Sequence, residues 1–205
     1  MDLKQVFEER RSVNFFDKSK PVDDSTLKNI INLAALAPSA FNLQPWQIIA
    51  VKSAEAKEQL YRLANNQPKI LEAPVTLIIA GDKSGFDKSN PVWDEMLKSV
   101  GGNTGMVEGS QKAAASLYGT SEEKKLKFAE SNAGLISMSI MYAAKYYGVD
   151  SHPMSGIDFY GIQKGFNLDE NKTVVMIIAL GYFDSSKSLY PRRPRRSYND
   201  IVKEV

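Results

Sequence analysis

Cysteine is absent from the 205 residues, and histidine occurs once, as His152. The first absence excludes disulfides, thiolate metal sites and cysteine nucleophiles, and it fits a reducing cytoplasm. The lone histidine has no His-x-x-His or Glu-x-x-His spacing around it, so a transition-metal site has little support. Long apolar runs are missing as well: none approaches the roughly 18 residues of a membrane span. The N-terminal stretch Met1 to Arg10 is charged too early for a signal peptide. Nor is there a surplus of one charge, since 26 basic residues stand against 24 acidic ones for a formal net charge of +2. No global field calls for nucleic acid or a membrane as partner. These absences point to a soluble cytoplasmic protein. With 43% hydrophobic residues, the chain can bury a core as one domain spanning residues 1–205.

What is present is organised around Ala37-Pro38-Ser39-Ala40-Phe41-Asn42-Leu43-Gln44-Pro45-Trp46. Proline removes an amide donor and biases its predecessor toward extended backbone, so Pro38 and Pro45 make this a stiff loop. Ser39, Asn42 and Gln44 can donate and accept hydrogen bonds, while Phe41 and Trp46 offer flat apolar surface. Such a loop suits a planar heteroaromatic ligand with a polar rim; the plainer alternative is a helix-to-strand connector that is polar for solvation alone.

Periodicity predicts a helix over 2–10 and a second one capped by Asp23, with Leu27, Ile30, Ile31, Ala34 and Ala35 inward. A strand runs through Val51, and Ser53 starts a helix over 54–64. The runs Val75 to Ala80 and Thr173 to Tyr182 are nearly all apolar, as strands covered on both faces should be. Residues 82–120 read as short helices and a mobile cover over a pocket. Their Gly101-Gly102-Asn103-Thr104-Gly105 matches neither a dinucleotide fingerprint nor a P-loop. The longest helix is expected from Ser121 to about Tyr147, apolar nearly all round, its second cover being either the rest of this chain or another subunit. Gly148 to Gly156 reads as a compact turn, and Asp158 as the cap of a helix to Phe166.

Two basic stretches could hold an anion. Arg10-Arg11-Ser12 places two guanidiniums and a hydroxyl beside a chain reversal. Residues 182–205 read as an extended C-terminal arm in which Arg192, Arg193, Arg195 and Arg196 form the second cluster. A nucleic-acid-binding tail is the rival reading, but no other basic patch or recognisable module accompanies it. Lys69 is expected between two ordered elements, as either a surface lysine or a cation aimed at a ligand.

Taken in order, Arg10-Arg11-Ser12, the Pro38 to Trp46 loop, Asn66 with Lys69 ahead of Ala73-Pro74, the His152-Pro153-Met154-Ser155-Gly156 turn and Arg193-Pro194-Arg195 resemble the nitroreductase family of FMN-dependent oxidoreductases. The resemblance spans nearly the whole chain. It implies an α+β fold, a central and mostly antiparallel sheet flanked by helices, and an intertwined homodimer that exchanges its C-terminal arms and holds FMN at the interface. By the same resemblance Arg10, Ser12, Arg193 and Arg195 would hold the phosphate, with Arg11 beside them. Pro38, Ser39 and Asn42 would reach the flavin from the other subunit, together with Ala40 and Gln44. Asn66 and Lys69 would meet the pyrimidine side, Lys69 as electrostatic support, and Pro153, Met154, Ser155 and Gly156 would line the other side. Many members carry Arg or Lys where this chain has Asn14, which makes the reduced flavin less favourable unless Lys69 suffices. Ser155 is acidic in some relatives. The implied reaction is a ping-pong transfer from NAD(P)H to a nitroaromatic or quinone. A different acceptor chemistry, such as enone reduction or dehalogenation, and a non-catalytic FMN sensor are the alternatives.

Overall fold

The fold grows from two strands that alternate nothing because both their faces are covered. In the computed structural model, which describes residues 2–205, β2 (Val75–Asp82) and β4 (Lys172–Gly181) pair antiparallel from Val75 opposite Leu180, with a bulge at Ile79/Ala80. The edges are β1 (Trp46–Val51), antiparallel to β2, and β3 (Asp150–Met154), antiparallel to β4, giving the order β1-β2-β4-β3. This is the α+β architecture, with an antiparallel central sheet, that the resemblance implies.

Because neighbouring side chains of a strand point to opposite faces, one sequence feeds two cores. Leu77, Ile79, Ile178 and Leu180 pack with Leu27, Ile30 and Ala34 of α2 (Asp24–Ala34) and with Ala133, Ile136 and Ile140 of α7 (Glu122–Tyr146). On the other face Ile78, Ala80, Ile177 and Ala179 meet Leu60 of α3 (Ala54–Leu63), Ile70 of α4 (Lys69–Glu72) and Ile162 of α8 (Phe159–Gly165). A third cluster holds Leu43, Phe86, Trp93, Val107, Ala114 and Phe128, built by α5 (Val92–Ser99), α6 (Thr104–Tyr118) and the N-terminal half of α7. The remaining helices are α1 (Leu3–Glu9) and α9 (Tyr198–Ile201).

The helix starts lie where the capping residues predict them. Asp23, Ser53, Ser121 and Asp158 each accept the amide of the residue three positions on, namely Thr26, Ala56, Lys124 and Gly161, which satisfies one otherwise orphaned donor. Helix α7 is covered by the sheet and by α2, with Leu126 and Leu135 left exposed. It passes so close to β2 that a Cβ on Gly81 would lie 2.5 Å from the Ala129 carbonyl oxygen.

Three expectations need correction. Residues 150–154 form edge strand β3, not a turn; Pro153 is tolerated there because an edge strand leaves one side of its backbone unpaired. The region 82–120 contains two regular helices, one of 15 residues, rather than short pieces alone. Lys69 begins α4 instead of standing between elements.

Candidate active site

Residues 12 and 13 run alongside β3, and residues 15–17 pair with the chain just after β4. Ser12 and Ser151 form a parallel bridge, the Val13 amide donates to the Ser151 carbonyl at 3.1 Å, and Phe16 bridges to Phe183. Buried Val13 and Phe16 pin the segment to the second core, so Arg10, Arg11, Ser12 and Asn14 are presented at one edge of the sheet. The C-terminal arm closes over them: Arg11 donates to the Tyr190 carbonyl, and Arg192 to the carbonyls of Glu8 and Arg10. Between the two stretches lies a cavity of about 240 Å³ lined by Arg10, Arg11, Ser12, Asn14, Tyr190, Pro191, Arg192, Arg193 and Arg195. Five guanidiniums converge, and among the described residues no Asp or Glu lines the space. Burial lowers the pKa of Arg10; Tyr142 opposes that, and the like charges of Arg192 and Arg195 add to it. Cations gathered without a counter-charge are costly unless an anion is bound among them.

A second group leans on the far end of β3. Asn65 and Asn66 adopt left-handed backbone, at φ 51° and 54°, a conformation that Asn tolerates better than most residues. This turn is tied across the fold, since the Asn65 carboxamide donates to the Gly156 carbonyl at 2.9 Å and the Asp158 amide to the Leu63 carbonyl at 2.8 Å. The turn that carries Asn66 is therefore fastened to Gly156, and the Lys69 charge is felt at His152 on β3. Lys69 has no ion-pair partner among the described residues; Gln67 Oε1 lies 3.5 Å from its ammonium.

His152, on β3, joins the two groups. A carbonyl can only accept, so the 2.8 Å contact with Val13 O makes Nδ1 the donor. Desolvation lowers the His152 pKa, the Val13 bond raises it, and the Lys69 charge lowers it again. The native imidazole therefore binds its proton less readily than the unfolded one. Its contribution to stability is present above the ordinary value of about 6.5 and is lost as pH falls through the lowered folded value. The urea midpoint is expected to drop between pH 7 and pH 5, and less steeply in His152→Gln; parallel curves for the two proteins would contradict the assignment.

The third group stands apart. In the loop before β1, Phe41, Asn42 and Gln44 all have positive φ, at 52°, 56° and 48°. Ser39 Oγ accepts the Gln44 amide at 2.9 Å, and Asn132 Oδ1 accepts the Ala40 amide at 2.9 Å. Buried Leu43 anchors the turn, and its carbonyl accepts from Asn90. Three departures from ordinary backbone within four residues cost of order 1 kcal/mol each, and they hold Pro38, Ser39, Ala40, Asn42 and Gln44 in one fixed presentation. This loop, however, leads into the strand at the opposite edge from β3. Three strand spacings separate the edges, about 14 Å. Within one chain the structure thus brings together the arginine cluster, Asn66, Lys69 and residues 153–156 around β3, and leaves the Pro38 to Gln44 loop elsewhere.

Sequence reasoning missed Asn65, His152 and Tyr190 as supports of this arrangement. The Asn65-Asn66 pair was the available signal, because consecutive asparagines favour left-handed turns.

The model of the nitroreductase family matches residues 7–182. This chain belongs to the nitroreductase family. A Bacillus subtilis relative named as the NAD(P)H nitroreductase MhqN is 32% identical over 203 residues, covering 98% of either chain. Among solved structures, B. subtilis ydfN, also named as a nitroreductase, superposes with a TM-score of 0.91 at 32% identity, covering 98% of each chain. A nitroreductase-named protein from Exiguobacterium sibiricum, crystallised in complex with FMN, gives 0.84 at 25% identity over 99% of this chain and 97% of its own. This nitroreductase-family chain is accordingly an oxidoreductase by kinship. No helix in the described residues is long and apolar enough to cross a membrane.

Proposed function

We propose that this chain is an FMN-dependent enzyme that takes hydride from NAD(P)H and reduces an electron-poor acceptor, a nitroaromatic or quinone, by two electrons in a ping-pong sequence. The observation that carries the reading is the five-arginine cavity with no carboxylate in its lining. Its donor set fits a phosphate dianion: forked guanidiniums supply charge and paired N–H groups, and Ser12 adds a hydroxyl. When bound, FMN supplies the electron-carrying ring, so no side chain has to act as a nucleophile.

The side chains bind and orient. Arg10, Ser12, Arg193 and Arg195 hold the phosphate, with Arg11 and Asn14 at its margin. Asn66 and Lys69 face the polar edge of the ring, where the Lys69 charge favours the electron-rich state. Pro153, Met154, Ser155 and Gly156 line the opposite side. The separation of the Pro38 to Gln44 loop from this group supports a homodimer in which Ser39 and Asn42, with Pro38, Ala40 and Gln44, reach the cofactor of the neighbouring subunit. Exposed Leu3, Phe7, Leu36 and Leu135 supply apolar surface for that contact, and the 182–205 arm extends the same one-domain chain across it.

The purified protein is expected to be yellow, to elute as a dimer, and to bleach under nitrogen when NADH or NADPH is added, with colour restored by a quinone. A colourless monomer indifferent to added FMN would overturn the reading.

A further inference from the structure

A second cavity, of about 380 Å³, opens beside the Pro38 to Gln44 loop and plays no part in holding the arginine cluster together. Its floor is aromatic and aliphatic. Tyr118 and Phe128 stack with ring centroids 4.5 Å apart at 28°, and Leu117 adds an exposed apolar side chain. Its link to the loop is direct, because Ala40 lines the cavity and donates its amide to Asn132, another lining residue that is only 4% exposed. The volume falls in the range of small-molecule sites.

The rim is unusual. Lys124 and Lys127, three residues apart on α7 and so on one face, both line the cavity. Among the described residues neither has a carboxylate within ion-pair distance, whereas the intervening Lys125 pairs with Glu122 at 2.6 Å. Lys124 also falls in the first turn of a helix that starts at Glu122. There the aligned amide dipoles disfavour cations. Two uncompensated positive charges at the mouth of an apolar slot match a flat molecule that bears an anionic group.

We propose that this cavity is the acceptor pocket and that it selects aromatic carboxylates, with Tyr118 and Phe128 receiving the ring and Lys124 and Lys127 the carboxylate. The assignment as an acceptor pocket rests on the FMN reading above; the charge selectivity of the cavity does not. The lysines act as specificity-determining residues.

The test is calorimetric titration of the FMN-loaded protein, without NAD(P)H, using 4-nitrobenzoate and its neutral analogue 4-nitrobenzyl alcohol. Wild-type protein is expected to bind the carboxylate more tightly. The ratio of the two Kd values should fall about five- to tenfold in the Lys124→Met, Lys127→Met double variant, the combined effect of two partly screened ion pairs. Combining Lys124→Glu with Lys127→Met should lower it further. Adding salt should shrink the wild-type preference. Equal Kd values for the two compounds in the wild-type protein, or a ratio that the double variant leaves unmoved, would overturn the proposal. Failure of the flavin reading is seen separately, as a protein that takes up no FMN; titration of that protein with the same two compounds still decides the selectivity.

Discussion

Replacing Arg10 by alanine is expected to weaken FMN binding about a hundredfold, roughly 2.7 kcal/mol, while leaving the FMN-free protein as stable as before or slightly more so. Both signs follow from one arrangement. Arg10 is half-buried and shares its cavity with four other guanidiniums. Its charge is held against desolvation and against the fields of Arg192 and Arg195. Without an anion, removing one member of a like-charged cluster relieves repulsion. With a phosphate dianion present, the same change deletes a charge-assisted hydrogen bond from a half-buried guanidinium, an interaction worth about 1.5–3 kcal/mol. Quenching of flavin fluorescence on titration into the FMN-free variant gives the first number, and urea midpoints without cofactor give the second. A loss of affinity under threefold, or a variant equally destabilised with and without FMN, would move Arg10 from phosphate binding to general support of the fold.

The second large effect concerns stability alone. Gly81→Ala should destabilise the protein by roughly 1–3 kcal/mol, the usual cost of overpacking, read as a lower urea midpoint with an unchanged slope. The added methyl would sit 2.5 Å from the Ala129 carbonyl oxygen and 2.7 Å from its carbon. Both atoms belong to the backbone of α7, so no side-chain rotation relieves the clash. Either the helix or the central strand has to move. Because α7 carries Phe128 and Asn132 toward the loop before β1, a shift of the helix would also disturb that loop. A variant as stable as the parent would mean that the helix and strand yield more easily than their packing suggests.

Much of the fold was readable from local chemistry. The four capped helix starts at Asp23, Ser53, Ser121 and Asp158 follow from side-chain oxygens that serve the first free amides, an effect confined to a few adjacent residues. The two central strands follow from apolar runs buried on both faces. Strand β3 escaped because Ser151, His152 and Pro153 carry neither alternation nor an apolar run; its pairing with Ile177, Ile178, Ala179 and Leu180 is imposed by the neighbouring strand. Short helices were expected over 82–120, but the bounds of α5 and the full length of α6 escaped for a related reason. Both helices pack through a few large side chains, such as Trp93 and Val107, and expose the rest. The candidate cofactor residues and their division between two subunits could be named from motif resemblance alone; the sheet edges on which they lie could not, since strand order is a property of long-range pairing.

In the proposed homodimer, that division would set how damage combines. A subunit with a ruined arginine cluster and one with a ruined Pro38 to Gln44 loop, once associated, would form one centre carrying both lesions and one carrying neither. Two individually dead alleles of such a chain can therefore restore each other in the same cell, while two lesions within the arginine cluster cannot.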